Sequence, residues 1–120
     1  MSKKTLVLGA SLKPHRYSNI ATKRLSKYGH EVVPIGLRKG EIEGISILKG
    51  QPDVEGVDTV TLYLNPKRQV ELYDYILGLK PKRIIFNPGT ENMELVELAH
   101  AQGIETEIAC TLVMLSVENY

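Results

Sequence analysis

The sequence predicts an α/β fold: a doubly wound, mainly parallel sheet of five to six strands with helices on both faces. Three observations predict it. Strand-like runs recur at residues 5–8, 31–35, 59–64, 82–86 and 105–109, most of them without the polar alternation of a half-exposed strand, as in strands covered on both faces. Between them lie segments with apolar residues at helical spacing: Ile20, Ala21, Leu25 and Tyr28; Val70, Tyr73 and Leu77; Met93, Val96 and Ala99. Turn formers separate the two kinds of segment, at Gly9, Gly29, Gly36, Asn65-Pro66, Asn87-Pro88-Gly89 and Gly103. Alternation of strand and helix argues for a parallel sheet whose ligands sit beyond the carboxyl ends of the strands.

The first strand leads straight into Gly9-Ala10-Ser11, then a loop with Pro14 and Arg16, then Ser18-Asn19 at the predicted start of a helix. Ser18 and Asn19 are residue types that cap free helix amides. Those amides and the helix dipole attract anions, and the small Gly9 and Ala10 let a ligand approach the backbone. Arg16 adds a forked cationic donor. The stretch therefore reads as a phosphate cradle, although the full GxGxxG spacing is absent; Gly9 as turn, Ser18 or Asn19 as cap and Arg16 as a solvated charge is the competing reading.

The first helix ends at Gly29, and a second strand over residues 31–35 completes a β-α-β unit that ends at Gly36. A sheet that binds NAD usually carries an acid at this end for the ribose hydroxyls; this chain carries Arg38 and Lys39, which suits a phosphorylated ribose. Residues 41–58 are irregular, with Gly44, Gly50, Pro52 and Gly56 around one apolar segment, 45–48, expected as a short edge strand. The strand over 59–64 stops at Asn65-Pro66, a cap followed by proline at the first helical position, and a helix is expected to about residue 79, with Val70, Tyr73 and Leu77 in its apolar row. After the strand 82–86, Asn87-Pro88-Gly89-Thr90 breaks the sheet, Asn92 or Thr90 caps a third helix ending at Gly103, and 105–109 is the last strand. The tail 110–120, with Leu112, Val113, Leu115 and Val117, is too apolar to hang free and should pack on the body or on a second copy.

Composition limits the function classes. A chain of 120 residues with 42% hydrophobic content fits one domain with its own core. Its 15 basic and 14 acidic residues leave a net charge of +1, no field to hold nucleic acid or an anionic membrane. One cysteine, Cys110, and an opening Met1-Ser2-Lys3-Lys4 without a signal-length leader suggest a reduced, cytoplasmic protein. No apolar run approaches the roughly 20 residues of a membrane span. His15, His30 and His100 lack ligand spacing, so no metal is expected.

With these residues in view, the chain resembles the small stand-alone CoA-binding domain proteins, related to the nucleotide-binding domain of the succinyl-CoA synthetase α subunit. The resemblance runs nearly end to end and rests on the Gly9-Ala10-Ser11 turn, Pro14 and Arg16, the Glu41-Ile42-Glu43-Gly44 segment, the Asn92-opened helix and Cys110 just past the last strand. It implies a Rossmann-like fold binding CoA, with the diphosphate over the first loop and helix start and the adenosine end toward the second strand. Family members commonly end that strand in Asn-Pro where this chain has Gly36-Leu37, and the Asn87-Pro88-Gly89-Thr90 loop also departs from their usual version. The expected site comprises Gly9, Ala10, Ser11, Pro14, Arg16, Ser18 and Asn19 of the cradle, Gly36 and Arg38 after the second strand, and Asn65, Asn87 and Gly89 from the two loops that meet on the same edge.

Three functions compete: a non-catalytic CoA or acyl-CoA binding protein, an NADP-binding oxidoreductase or redox sensor, and a scaffold that has lost its ligand. No catalytic constellation stands out. Cys110 reads as packing, and Ser11 has His15 nearby in sequence but no evident carboxylate. A response-regulator reading would need clustered acids after the first strand, where Lys13 and His15 stand instead. The apolar tail and the segment 45–48 suggest a homodimer.

Overall fold

The computed structural model of the chain describes residues 2–120. Five parallel strands form the main sheet: β1 (Thr5–Ala10), β2 (Val32–Gly36), β5 (Thr59–Leu62), β6 (Arg83–Phe86) and β7 (Glu105–Ile108), in the spatial order β2-β1-β5-β6-β7. The segment expected as an edge strand forms instead an antiparallel hairpin, β3 (Gly40–Ile42) with β4 (Ile45–Ile47). Just past the hairpin, Leu48 bridges Ile35 at the sheet edge. Ile42 and Ile47 face inward and are buried, so the hairpin caps the core and does not extend the sheet.

Helices cover both faces. The strand alternation puts Leu6, Leu8, Val60, Leu62, Ile84 and Phe86 on one face with Ile76, Leu77, Leu95, Val96 and Ala99 of the helices, while Val7 and Ala10 meet Leu25, Ile42, Ile47 and Leu115 on the other. Each fully buried Val, Leu, Ile or Phe side chain among them contributes about 1.5–3 kcal/mol, so the first, larger cluster holds most of the apolar stabilisation. On the thinner face the buried layer includes a polar pair, Thr61 Oγ1 lying 2.8 Å from Thr111 Oγ1.

The helices differ from expectation in instructive ways. α1 spans Tyr17–Lys27 with Arg16, not Ser18 or Asn19, at the capping position; both of those lie buried within its first turn. The expected long helix after β5 is three pieces: α2 (Pro66–Gln69), a tight 3-10 turn (Val70–Leu72) and α3 (Tyr73–Gly78). The tight turn rotates the apolar row, leaving Val70 56% exposed while Ile76 is wholly buried. In α4 (Met93–Ala101) Leu95, Val96 and Ala99 pack inward, whereas Met93 and Leu98 face out. The tail folds back as α5 (Thr111–Ser116), with Met114 and Leu115 buried and Val113 and Val117 exposed. Both segments that suggested a dimer are therefore engaged within the chain. No helix among the described residues is long and apolar enough to cross a membrane.

Candidate functional site

Chain order reverses between β1 and β5: the connection from β1 leads outward to β2, and the chain then returns past β1 to β5. Loops leaving adjacent strands in opposite directions open a crevice there, at the carboxyl edge of the sheet. A cleft of about 800 Å³ lies at this switch point, lined by the β1 exit (Gly9, Ala10, Ser11, Leu12, Lys13, Arg16), the β2 exit (Gly36, Leu37, Arg38), Gly50 and Gln51 after the hairpin, and Tyr63, Leu64, Arg68 and Glu71 after β5. A second lobe of about 410 Å³ continues across Tyr17, Ser18 and Asn65 to Pro88, Gly89 and Thr90 after β6. Gly9, Ser11, Arg16, Tyr63, Leu64 and Arg68 line both. These are volumes typical of small-molecule sites, roughly 300–1,000 Å³.

The floor of the cleft depends on two glycines. Gly9 is the extra residue of a β-bulge: Leu8 pairs with Ile35 and Ala10 with Gly36. Its φ of +101° suits glycine, and a Cβ there would stand 3.0 Å from the Tyr63 carbonyl. Gly9 thus lets the β1 and β5 exits close against each other, a packing role additional to the ligand approach expected of it. At Gly36 a Cβ would come within 2.3 Å of the Ala10 carbonyl oxygen, which gives a backbone reason for glycine at this position.

Above that floor, Asn19 pins the loop from beneath, its Nδ2 donating to the Ser11 carbonyl at 2.9 Å. The Lys13 amide donates to Ser11 Oγ at 3.1 Å, and the Arg16 amide to the Lys13 carbonyl. The Arg16 carbonyl then accepts from the Asn19 and Ile20 amides, starting α1. Among the described residues no side chain caps this helix, and its first turn carries no acid, so its positive end remains open to an anion. Lys13, Arg16, Arg38 and Arg68 line the cleft against one carboxylate, Glu71, and none of the four has a carboxylate within 4.0 Å among the described residues.

The sequence-predicted residues divide accordingly. Gly9, Ala10, Ser11, Arg16, Gly36 and Arg38 line the larger lobe, and Ser18, Asn65 and Gly89 the smaller. Pro14 is exposed outside both, and Asn19 lies beneath the loop. Asn87 is internal: its Nδ2 donates to Thr61 Oγ1 at 2.6 Å and to the Leu62 carbonyl at 2.8 Å, while its Oδ1 accepts from the Thr111 amide at 2.9 Å. It ties the ends of β5 and β6 to α5 and supports the site without facing it.

Arg68, Tyr63 and Gln69 also shape the cleft, although no local motif marks them. Asn65 Oδ1 accepts from the Arg68 amide at 3.0 Å, fixing the turn that carries this arginine to the cleft. Burial pushes the Tyr63 phenol well up, reinforced by nearby Cys110, so this cleft-lining ring stays neutral. The fully buried Gln69 donates to the Leu64 and Thr90 carbonyls and accepts from Asn92 Nδ2, bracing the floor of the smaller lobe. Asn92 also caps α4 through the Leu95 amide. Cys110 is half-buried at the start of α5 and lines neither lobe.

The chain is 28% identical over 110 residues to the alpha subunit of acetate–CoA ligase (ADP-forming) II from Pyrococcus furiosus; the match covers 82% of this chain but only 24% of that protein. A crystal structure of an uncharacterized protein, 55% identical, superposes with a TM-score of 0.97 over 100% of this chain and 99% of its own. A hypothetical protein from Pyrococcus horikoshii OT3, 26% identical, gives a TM-score of 0.86, covering 97% of this chain and 83% of its own. The model of the CoA binding domain matches residues 3–116, and the chain belongs to the CoA-binding domain family.

Proposed function

We propose that this chain binds CoA or an acyl-CoA and holds it without performing chemistry on it. The observation that carries the reading is the cleft at the switch point, where four cations without carboxylate partners and an uncapped helix start face one carboxylate. Such a charge set suits a ligand with several phosphates, since guanidinium–phosphate hydrogen bonds are charge-assisted and often bidentate. In this reading the diphosphate lies over Ser11, Arg16 and the start of α1. The adenosine end extends toward Gly36 and Arg38, where a phosphate on the ribose meets positive charge. The pantetheine arm follows the smaller lobe past Asn65 and Gly89. Asn87 and Gln69 hold the walls in place from within.

Because the chain spans 24% of the ligase subunit it matches, only CoA binding is carried over from that likeness; the ADP-forming ligase activity of the longer protein is not. No cluster of three metal-ligating side chains occurs among the described residues, and the proposal requires none. Mass spectrometry of small molecules released on denaturing the purified protein tests the reading: CoA or an acyl-CoA is expected. A nicotinamide nucleotide would favour the NADP-linked alternative, for which Arg38 is equally suited, and an empty protein that also gives no calorimetric heat with CoA would leave the scaffold.

A further inference from the structure

Of the four cations in the cleft, only Arg16 and Arg68 border both lobes; Lys13 and Arg38 border the larger one alone. The pair reaches the junction from different strands, Arg16 at the capping position of α1 after β1 and Arg68 from the first turn of α2 after β5. They therefore reach it from the two loops that flank the switch point. Arg68 is held at its backbone, where its amide meets both oxygens of Asn65 at 3.0 Å. Its side chain is exposed and without a carboxylate within 4.0 Å among the described residues, although Glu71 follows three positions later in the same cleft. An arginine anchored in this way, lining the same crevice as a second arginine, has its charge uncompensated until an anion enters.

We infer that Arg68 is a specificity-determining residue that forms a clamp with Arg16, so that the site selects two adjoining phosphates over one. The physical reason is geometric. Each guanidinium presents a planar fork that engages one phosphate bidentately. A diphosphate offers each fork its own group, and its two negative charges offset the repulsion between the arginines. A single phosphate can serve both only if the two cations converge on it. Glu71 counters the clamp, as the one acid in the cleft, and its neutralisation should tighten anion binding.

This inference rests on the CoA reading for its choice of probes, and the experiment keeps the two apart. Calorimetric titrations of CoA, dephospho-CoA, pantetheine 4′-phosphate and ADP are made into the parent, Arg68→Gln, Arg68→Lys and Glu71→Gln, each checked by thermal melting. Arg68→Gln should weaken CoA, dephospho-CoA and ADP by about ten-fold or more, the size of a lost charge-assisted hydrogen bond, and affect the monophosphate much less. Arg68→Lys should recover little, having charge without a fork, and Glu71→Gln should tighten the diphosphates by about two- to three-fold, a screened surface effect. Unchanged CoA affinity in Arg68→Gln, or an equal loss for mono- and diphosphates, would overturn the clamp while leaving CoA binding intact. Binding of ADP that depends on Arg68, with no binding of CoA by the parent, would keep the clamp and remove the CoA reading; no binding of any probe would remove both.

Discussion

Arginines stand at both edges of the sheet, and their surroundings differ. Where the strands begin, Arg83 is only 9% exposed. Its Nε donates to Thr59 Oγ1 at 2.7 Å, its Nη1 to Glu107 Oε2 at 2.8 Å, and its guanidinium stacks 4.4 Å from the ring centre of Tyr120. Tyr120 in turn shares a 2.6 Å hydrogen bond with Thr5 and packs on His30. Where the strands end, Arg16, Arg38 and Arg68 line an open cleft, and their side chains have no carboxylate in reach among the described residues. The contrast separates two uses of one residue type. A cation whose partners belong to its own chain holds strands in place, whereas cations gathered without partners in a crevice remain available to a ligand.

The largest expected effect breaks the closed edge. Arg83→Ala removes the hydrogen bonds to Thr59 and Glu107 and the stacking on Tyr120, and should cost about 2–3 kcal/mol, below the range for a wholly buried pair because Glu107 is half-exposed. Urea unfolding should show the loss, with CoA affinity of the folded fraction unchanged; a drop in affinity of similar size would mean that the two edges are not independent. Next comes Gly36→Ala, which forces a Cβ against the Ala10 carbonyl at the bulge. Overpacking of this kind costs about 1–3 kcal/mol, and because the bulge sets the β1 exit this variant should lose both stability and ligand affinity.

On the open edge, Arg38→Ala should abolish most of a preference for CoA over dephospho-CoA, about 1 kcal/mol for an exposed ion pair, and less at higher salt. Lys39 lies outside the cleft lining, so Lys39→Ala should leave that preference as it is; competition titrations with the two ligands measure both. The smallest effect concerns His30. Burial, with Lys3 and Arg83 adding to it, holds its imidazole below the ordinary 6.5. The unfolded chain therefore takes up a proton before the folded one does. Stability should fall as pH drops through the window between 6.5 and the lower folded value, and His30→Gln should make that acid limb shallower in pH-dependent melts.

Much of the fold was legible in the sequence because its signals are local. The β-rich runs, the Asn65-Pro66 start and the helix start at Thr90 or Asn92 each declare themselves within a few residues, and all three appear in the structure, with Asn92 as the cap. Helical spacing misled at Val70 and Met93, since periodicity reports that a face exists but not where a 3-10 turn rotates it or where neighbouring elements stop covering it. For the site, the β1 exit could be read from Gly9, Ser11 and Arg16 as one continuous stretch. Arg68 could not, because its membership depends on which strand lies next to β1. Asn87 showed the converse error: a polar residue in a turn-rich loop reads as a ligand contact, yet here it spends its amide on Thr61, Leu62 and Thr111.

Arg16 offers the most direct test of whether the open cations serve a ligand. CoA titrated calorimetrically into the pure parent protein and into Arg16→Ala, with a thermal melt of each, reads binding and folding on the same samples. The parent should bind CoA. The variant should melt at the same temperature, as expected for an exposed side chain without a carboxylate partner, and bind more weakly by about 1.5–3 kcal/mol, the range for hydrogen bonds to charged groups. No heat with the parent, or equal affinity in the two proteins, would contradict the account.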